Sequence, residues 1–351
     1  MNKRLDWLYI GKGLGMLLVM FGHTHIPVPL KTYIYTFHMP LFFFLSGYLF
    51  NIKKFPTLKV FLSKRFKSLI LPYWCFSLVA YLWFLLLINF GEVDYKNNLF
   101  TLLLGALIAE RKAVWTVHTS ALWFVACLFC TELLFYWISK LGQTKKGIGF
   151  FLIVISFLGC LYNKLVGQPL PWNLDVAFIS VGFYGVGFWY KEYHMKLERF
   201  LHLKAFVFFI AINKVTGYSN FVLTGERVDF YQSSLGNIAL FYVSAFSGIR
   251  AFVILIKRMK RKPFLQYIGK NSLVYLALHH KIVFTLFNLV MQNVLVEFAK
   301  KVESPFINGL LYTFAAVFIL VPAVYTINHY FPFMLGKSAR KNRGQNLMYV
   351  S

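Results

Sequence analysis

Four side chains near the amino terminus, Lys12, His23, His25 and His38, sit in otherwise apolar, helix-length sequence. Hydrocarbon makes such groups costly, so ionisable residues within it mark substrate paths, proton paths or catalysis. An imidazole titrating near neutrality suits general-base work on a hydroxyl, and a lysine supplies a point charge for an anion such as phosphate. Further along, Glu132 falls in an apolar stretch, Asp175 opens another after "LPWN", and His279, His280 and Lys281 lie in a third. A carboxylate inside a bundle must be paired or neutral, so Glu132 is expected to face inward with a partner such as Lys281 or Arg250.

Helices must place these groups. Hydrophobic residues make up 58% of the 351, charged residues 14%, and the mean hydropathy is +0.60, which excludes an ordinary soluble domain and points to a polytopic membrane protein. Apolar windows near 7–26, 33–50, 68–90, 119–138, 147–163, 174–190, 204–214, 234–256, 272–294 and 306–327 predict an all-α transmembrane bundle of about ten crossings. Leu99 to Ala109 is too brief to cross and is expected to lie flat or re-enter. With the amino terminus inside, the inner segments hold 25 of the 37 lysines and arginines, so both termini are expected in the cytoplasm. Much of the formal charge of +25 is then topological, with attraction to anionic lipids as a by-product and no need of a nucleic-acid partner.

One membrane domain is expected over 1–336, followed by a basic tail over 337–351, in a multi-pass cell-membrane protein, a bacterial inner membrane being the expected location. Cys75, Cys127, Cys130 and Cys160 all fall in apolar spans and suggest no disulfide framework. The CxxC at Cys127 and Cys130 reads as small buried residues, and no metal site is expected.

Helical phase arranges the first group. Lys12 and His23 are eleven residues apart, almost three full turns, so they share a face and are separated by roughly 16 Å along the axis. The turn from Pro27 to Lys31 contains two prolines, and folding about Leu30 and Lys31 brings His38 level with His23. The two imidazoles are expected to meet, while His25, about 200° further round, is expected to point elsewhere. Plainer readings exist: Lys12 snorkelling to the interface, or His23 bonding a neighbouring helix. Alignment of the three favours a site. Lys281 lies about 14 Å into its span, too deep for simple snorkelling.

The strings "GKGLGMLLVMFGHTHIP", "FHMPLFFFLSGYLF", "KRFKSLILPYW", "ALWFVACLFCTELL", "LPWNLDVAF" and "IGKNSLVYLALHH" resemble, in that order, the acyltransferase 3 family of integral-membrane acyltransferases, particularly its fucose O-acetylase-like branch. The resemblance implies transfer of an acyl group, commonly acetyl from acetyl-coenzyme A, to a sugar hydroxyl of a surface glycan or its lipid-linked precursor. Acyl-coenzyme A, a glycan or lipid-linked sugar and membrane lipids are then the partners, with no permanently bound cofactor. The family's basic residue, ten residues and histidine are matched by Lys12 and His23. Departures are lysine for the commoner arginine, and Tyr9 where an acid is usual, with Asp6 a turn earlier.

His23 is the candidate general base, or alternatively a transient acyl carrier. His38 would orient it or donate to the oxyanion. Lys12 and Arg65, the latter matching the family's basic motif before "LILPYW", would hold the donor's phosphates. Asp175 matches a family aspartate and would help hold the sugar, beside faces such as Trp123 and Trp172. His279 matches the histidine of the "NSL" motif, with Glu132 and Lys281 as supporting residues. The competing class is a secondary transporter or glycan flippase with an intramembrane His, Lys and Glu pathway. A sensor or scaffold with a degenerate core is a third reading.

Overall fold

The computed structural model describes residues 6–109, 111, 119–198, 201–295 and 302–337. They form an all-helical bundle, with an isolated bridge between Asp229 and Ser234 and no strand among the described residues. In chain order the helices are α1 (Asp6–Gly22), α2 (Val28–Tyr35), α3 (His38–Leu49), α4 (Leu58–Asn89), α5 (Leu99–Ile108), α6 (Trp123–Gly142), α7 (Lys145–Leu165), α8 (Leu174–Glu198), α9 (Leu203–Thr224), α10 (Ile238–Arg258), α11 (Pro263–Lys270), α12 (Ser272–Asn293) and α13 (Pro305–Tyr330).

Seven of these, α4, α6, α7, α9, α10, α12 and α13, are long and apolar enough to cross a membrane. The other three expected crossings take different forms: α1 has 17 residues, the second span is split into α2 and α3 at Thr36 and Phe37, and α8 runs 25 residues. The 10-residue α5 is apolar but short, in keeping with a segment that does not cross. The span read as 204–214 is longer: α9 has 22 residues, so Lys214 lies well inside a helix. Buried Asn213, Gly217 and Asn220 interrupt its hydropathy, which is why the apolar window closed early. Of the expected basic tail, only Lys337 lies inside the described residues.

Lipid tails give apolar helices no hydrophobic reason to associate, so close backbone packing must hold the bundle. Glycine supplies it here at two reciprocal contacts. A Cβ on Gly13 would lie 2.0 Å from the Leu265 carbonyl oxygen, and one on Gly269 1.9 Å from that of Tyr9, so α1 and α11 touch backbone to backbone. In the same way a Cβ on Gly47 would lie 1.9 Å from the Tyr184 carbonyl oxygen and one on Gly187 2.0 Å from that of Phe44, so α3 and α8 also touch backbone to backbone. Helix α1 also packs on α3, α12 and α13, so the helix that carries Lys12 is enclosed.

Two helices contain π segments, Phe66–Ile70 in α4 and His279–Phe284 in α12. Such segments insert an extra residue per turn and rotate the remainder of the helix about its axis; they recur at functional sites. The first begins directly after Arg65, and the second opens on His279.

Candidate active site

The chain continues helically for one residue past α1, so His23 still donates its backbone N–H to Val19, at 3.1 Å. Its ring meets those of His280 and His279, with centroids 4.5 and 5.2 Å away. Lys31 donates to the Thr24 carbonyl at 3.0 Å and so closes the turn beyond His23. His38 is the first residue of α3, buried, within electrostatic reach of His23, but its ring lies against Tyr35 at 4.8 Å. His38 is thus near His23 as expected but not in ring contact with it, and the imidazoles that lie against the His23 ring come from α12. The break at Thr36 and Phe37 turns His38 back along α2, where its Nδ1 lies 2.9 Å from the Ile34 carbonyl.

That contact fixes a tautomer. A carbonyl only accepts, so Nδ1 of His38 carries the proton and Nε2 of the neutral ring presents a lone pair. His279 is fixed in the same way, its Nδ1 lying 2.8 Å from the Tyr275 carbonyl and 3.0 Å from that of Leu276. The His279 Nε2 atom is buried without a hydrogen-bond partner among the described residues. It is a preset acceptor. Although three imidazoles converge, no group of three or more His, Cys, Asp or Glu among the described residues could hold a metal ion.

Toward the Asp6 end of α1, Lys12 lies within electrostatic reach of Glu132 on α6. Glu132 is ion-paired to Arg65 at 2.5 Å, with the Tyr184 hydroxyl beside the same carboxylate. This corrects the expected partner: Glu132 pairs with Arg65, not with Lys281 or Arg250. Arg250 instead reaches the Tyr190 hydroxyl at 3.4 Å. Two basic side chains thus stand around one carboxyl group. The Arg65 guanidinium also lies 4.8 Å from the Phe55 ring centroid. Tyr9, at the position of the family acid, faces Lys270, whose ammonium is 5.5 Å from the ring centroid, and Asp6 opens α1.

Two cavities lie end to end along α1 and α12. The first, about 140 Å³, is almost wholly apolar, with Lys12 in its wall together with Met16, Val19, Leu69, Phe124 and Leu276. The second, about 190 Å³, is polar and is lined by His23, His25, His280, Lys281, Asn288 and Tyr312, among others. Val19 and His23 are one turn apart on α1, and Leu276 and His280 one turn apart on α12. A single helical turn bearing the histidines therefore separates the cavities. His25, expected to point elsewhere, lines the second cavity because α1 ends at Gly22 and helical phase no longer governs it. Larger cavities of about 570 Å³ beside α2 and α9 and about 370 Å³ among α7, α8 and α10 contain no histidine or carboxylate in their walls.

Asp175 is buried but lies apart from the histidines, and its carboxylate is fully engaged. One oxygen accepts from the Leu170 N–H at 3.2 Å; the other is ion-paired to Arg111 and accepts from the Ser233 hydroxyl at 3.0 Å. Such an arrangement ties three loops together and leaves little of Asp175 for a sugar. Trp123 and Trp172 lie tilted against Tyr231 and Tyr73 respectively. Arg111, Tyr184 and Asn288 were not singled out from sequence. For Asn288 a signal existed, since Lys281, Thr285 and Asn288 make a polar stripe on one face of an apolar span.

The helical bundle thus sets a basic residue in the wall of an apolar cavity and histidines in the wall of the polar cavity next to it. A family model described as an acyltransferase domain matches residues 5–329, nearly the whole chain, and the chain belongs to the acyltransferase 3 family. No curated protein and no solved structure matches it. The chain is therefore a multi-pass membrane acyltransferase.

Proposed function

We propose that the protein moves an acetyl group from acetyl-coenzyme A to a sugar hydroxyl of a cell-envelope polysaccharide or its lipid-linked precursor. In this reading ten segments cross the membrane, bacterial inner membrane by preference, with both termini in the cytoplasm. The Lys12 end of α1 is then the inner end and the His23 end the outer.

The observation that carries the reading is the pair of cavities separated by one turn of histidines. Coenzyme A phosphates meet Lys12 and Arg65 at the inner end. An apolar cavity suits the pantetheine arm, and the roughly 16 Å from Lys12 to His23 suits its length. The acceptor hydroxyl waits in the polar outer cavity. His23 takes its proton as the oxygen attacks the thioester carbon. Collapse of the tetrahedral intermediate breaks the carbon–sulfur bond, and the His23 imidazolium returns a proton to the departing thiolate. With Nδ1 of His38 committed to Ile34, the neutral ring has no hydrogen to give an oxyanion, so His38 serves as an acceptor that orients His23.

Purified protein in lipid nanodiscs, given labelled acetyl-coenzyme A and an envelope glycan, should label the glycan. His23→Ala should abolish labelling without altering the elution profile or thermal stability. Undiminished transfer by His23→Ala would refute the assignment, and acceptor movement across vesicles without acetylation would favour a transporter.

A further inference from the structure

The outer cavity carries a charge that its own walls do not answer. Lys281, half-buried, sits in the π segment of α12 and lines the cavity beside His23 and His280. Its other polar neighbours there, Thr24, His25, Thr285, Asn288, Asn308 and Tyr312, are all uncharged or histidine. No Asp or Glu lines this cavity, and no carboxylate pairs with Lys281 among the described residues. Lys31 stands over the same place, held by the Thr24 carbonyl, and lies within electrostatic reach of both His23 and His280. The acid that acts on Lys31, Asp229, already pairs with Arg227 at 3.2 Å. An ammonium in a membrane-embedded cavity without a counter-ion is costly, and a ligand that brings the anion removes the cost.

We infer that Lys281 recognises an anionic group on the acceptor, so that the substrate is an acidic sugar, carrying a carboxylate or a phosphate close to the hydroxyl that is acylated. This rests on the reading of the outer cavity as the acceptor site. Geometry supports proximity: Lys281 adjoins His280, whose ring meets that of His23. Asn288, whose side chain accepts from the Tyr312 hydroxyl, and Asn308 offer amides to neutral hydroxyls of the same ring. Lys281 is thus a specificity-determining residue rather than part of the proton path.

The test uses full-length protein in phosphatidylcholine nanodiscs with three probes: methyl glucoside, methyl glucuronide and glucose 1-phosphate. Binding is followed by calorimetry and transfer by labelled acetyl-coenzyme A. At least one acidic probe should bind roughly tenfold or more tighter than the glucoside, with the preference shrinking as salt rises. Which acid binds decides between carboxylate and phosphate. Lys281→Gln should erase the preference by raising KM with little change in kcat, while Lys281→Arg should retain most of it. Equal binding of all three probes, or a preference that survives in Lys281→Gln, would overturn the inference. Selective binding without acetyl transfer would leave the inference standing and defeat the acyltransferase reading. Transfer confined to the neutral probe would do the reverse. The salt dependence of the unaltered protein decides the matter even if Lys281→Gln fails to fold.

Discussion

At His38 and His279 the backbone decides the chemistry. Each ring gives its Nδ1 proton to a carbonyl in its own helical neighbourhood, which leaves Nε2 with a lone pair. His279→Asn should keep the bond to the carbonyl but remove the lone pair. Single-turnover kinetics should then show the chemical step slowed about 10²-fold or more, with thermal stability nearly unchanged. Arg65 invites a sharper separation of roles. Arg65→Ala strands the Glu132 carboxylate and should cost about 3 kcal/mol or more in stability, read from thermal unfolding in detergent. Adding Glu132→Gln should restore much of that stability. Affinity for acyl-coenzyme A should stay low in the double variant if Arg65 holds the donor. Lys12, His23 and His38 were legible from residue type and spacing. Their partners were not, because helical phase within one chain segment says nothing about which neighbouring helix it faces. Glu132 was therefore paired with the wrong cations, and the two α12 imidazoles in ring contact with His23 were missed as its neighbours.

At the scale of elements, two interruptions and two glycine contacts do the positioning. At the break between α2 and α3 the Ile34 carbonyl accepts from the His38 ring as well as from the Phe37 N–H, and the π segment in α12 presents His279, His280 and Lys281 together. Glycine contacts hold these helices at fixed distance. Gly47→Val would push α3 off α8 at the Tyr184 carbonyl, and a cost of about 1–3 kcal/mol is expected from such overpacking. Thermal unfolding should show it, and transfer activity should fall with it because α3 carries His38. Hydropathy located nearly every element but could not see their interruptions. A π segment leaves no periodic mark, and the run of 33–50 reads as one helix because Thr36 and Phe37 are apolar enough to pass. In α9 the error ran the other way: buried asparagines that bond across helices, such as Asn213 to Thr36 at 2.9 Å, lowered the apolar signal of a full-length helix.

For the molecule as a whole, the bundle and its membrane residence were legible from composition alone, since no soluble fold could hide so much apolar surface. Orientation rests on the lysine and arginine asymmetry. In a variant with the four native cysteines replaced, Lys53→Cys and Lys262→Cys should react with a membrane-impermeant maleimide only after cell lysis. Asp94→Cys and Gln168→Cys should react on intact cells. The opposite pattern would invert the proposed topology. The single turn of helix between the two cavities has a further meaning at this scale. If the donor binds at the inner end and the acceptor at the outer, as proposed, neither substrate need cross the bilayer, and the protein has no cause to open a passage wider than an acyl group. The remaining wall acts as electrical insulation, and vesicles containing the enzyme should hold a proton gradient as long as empty ones during turnover.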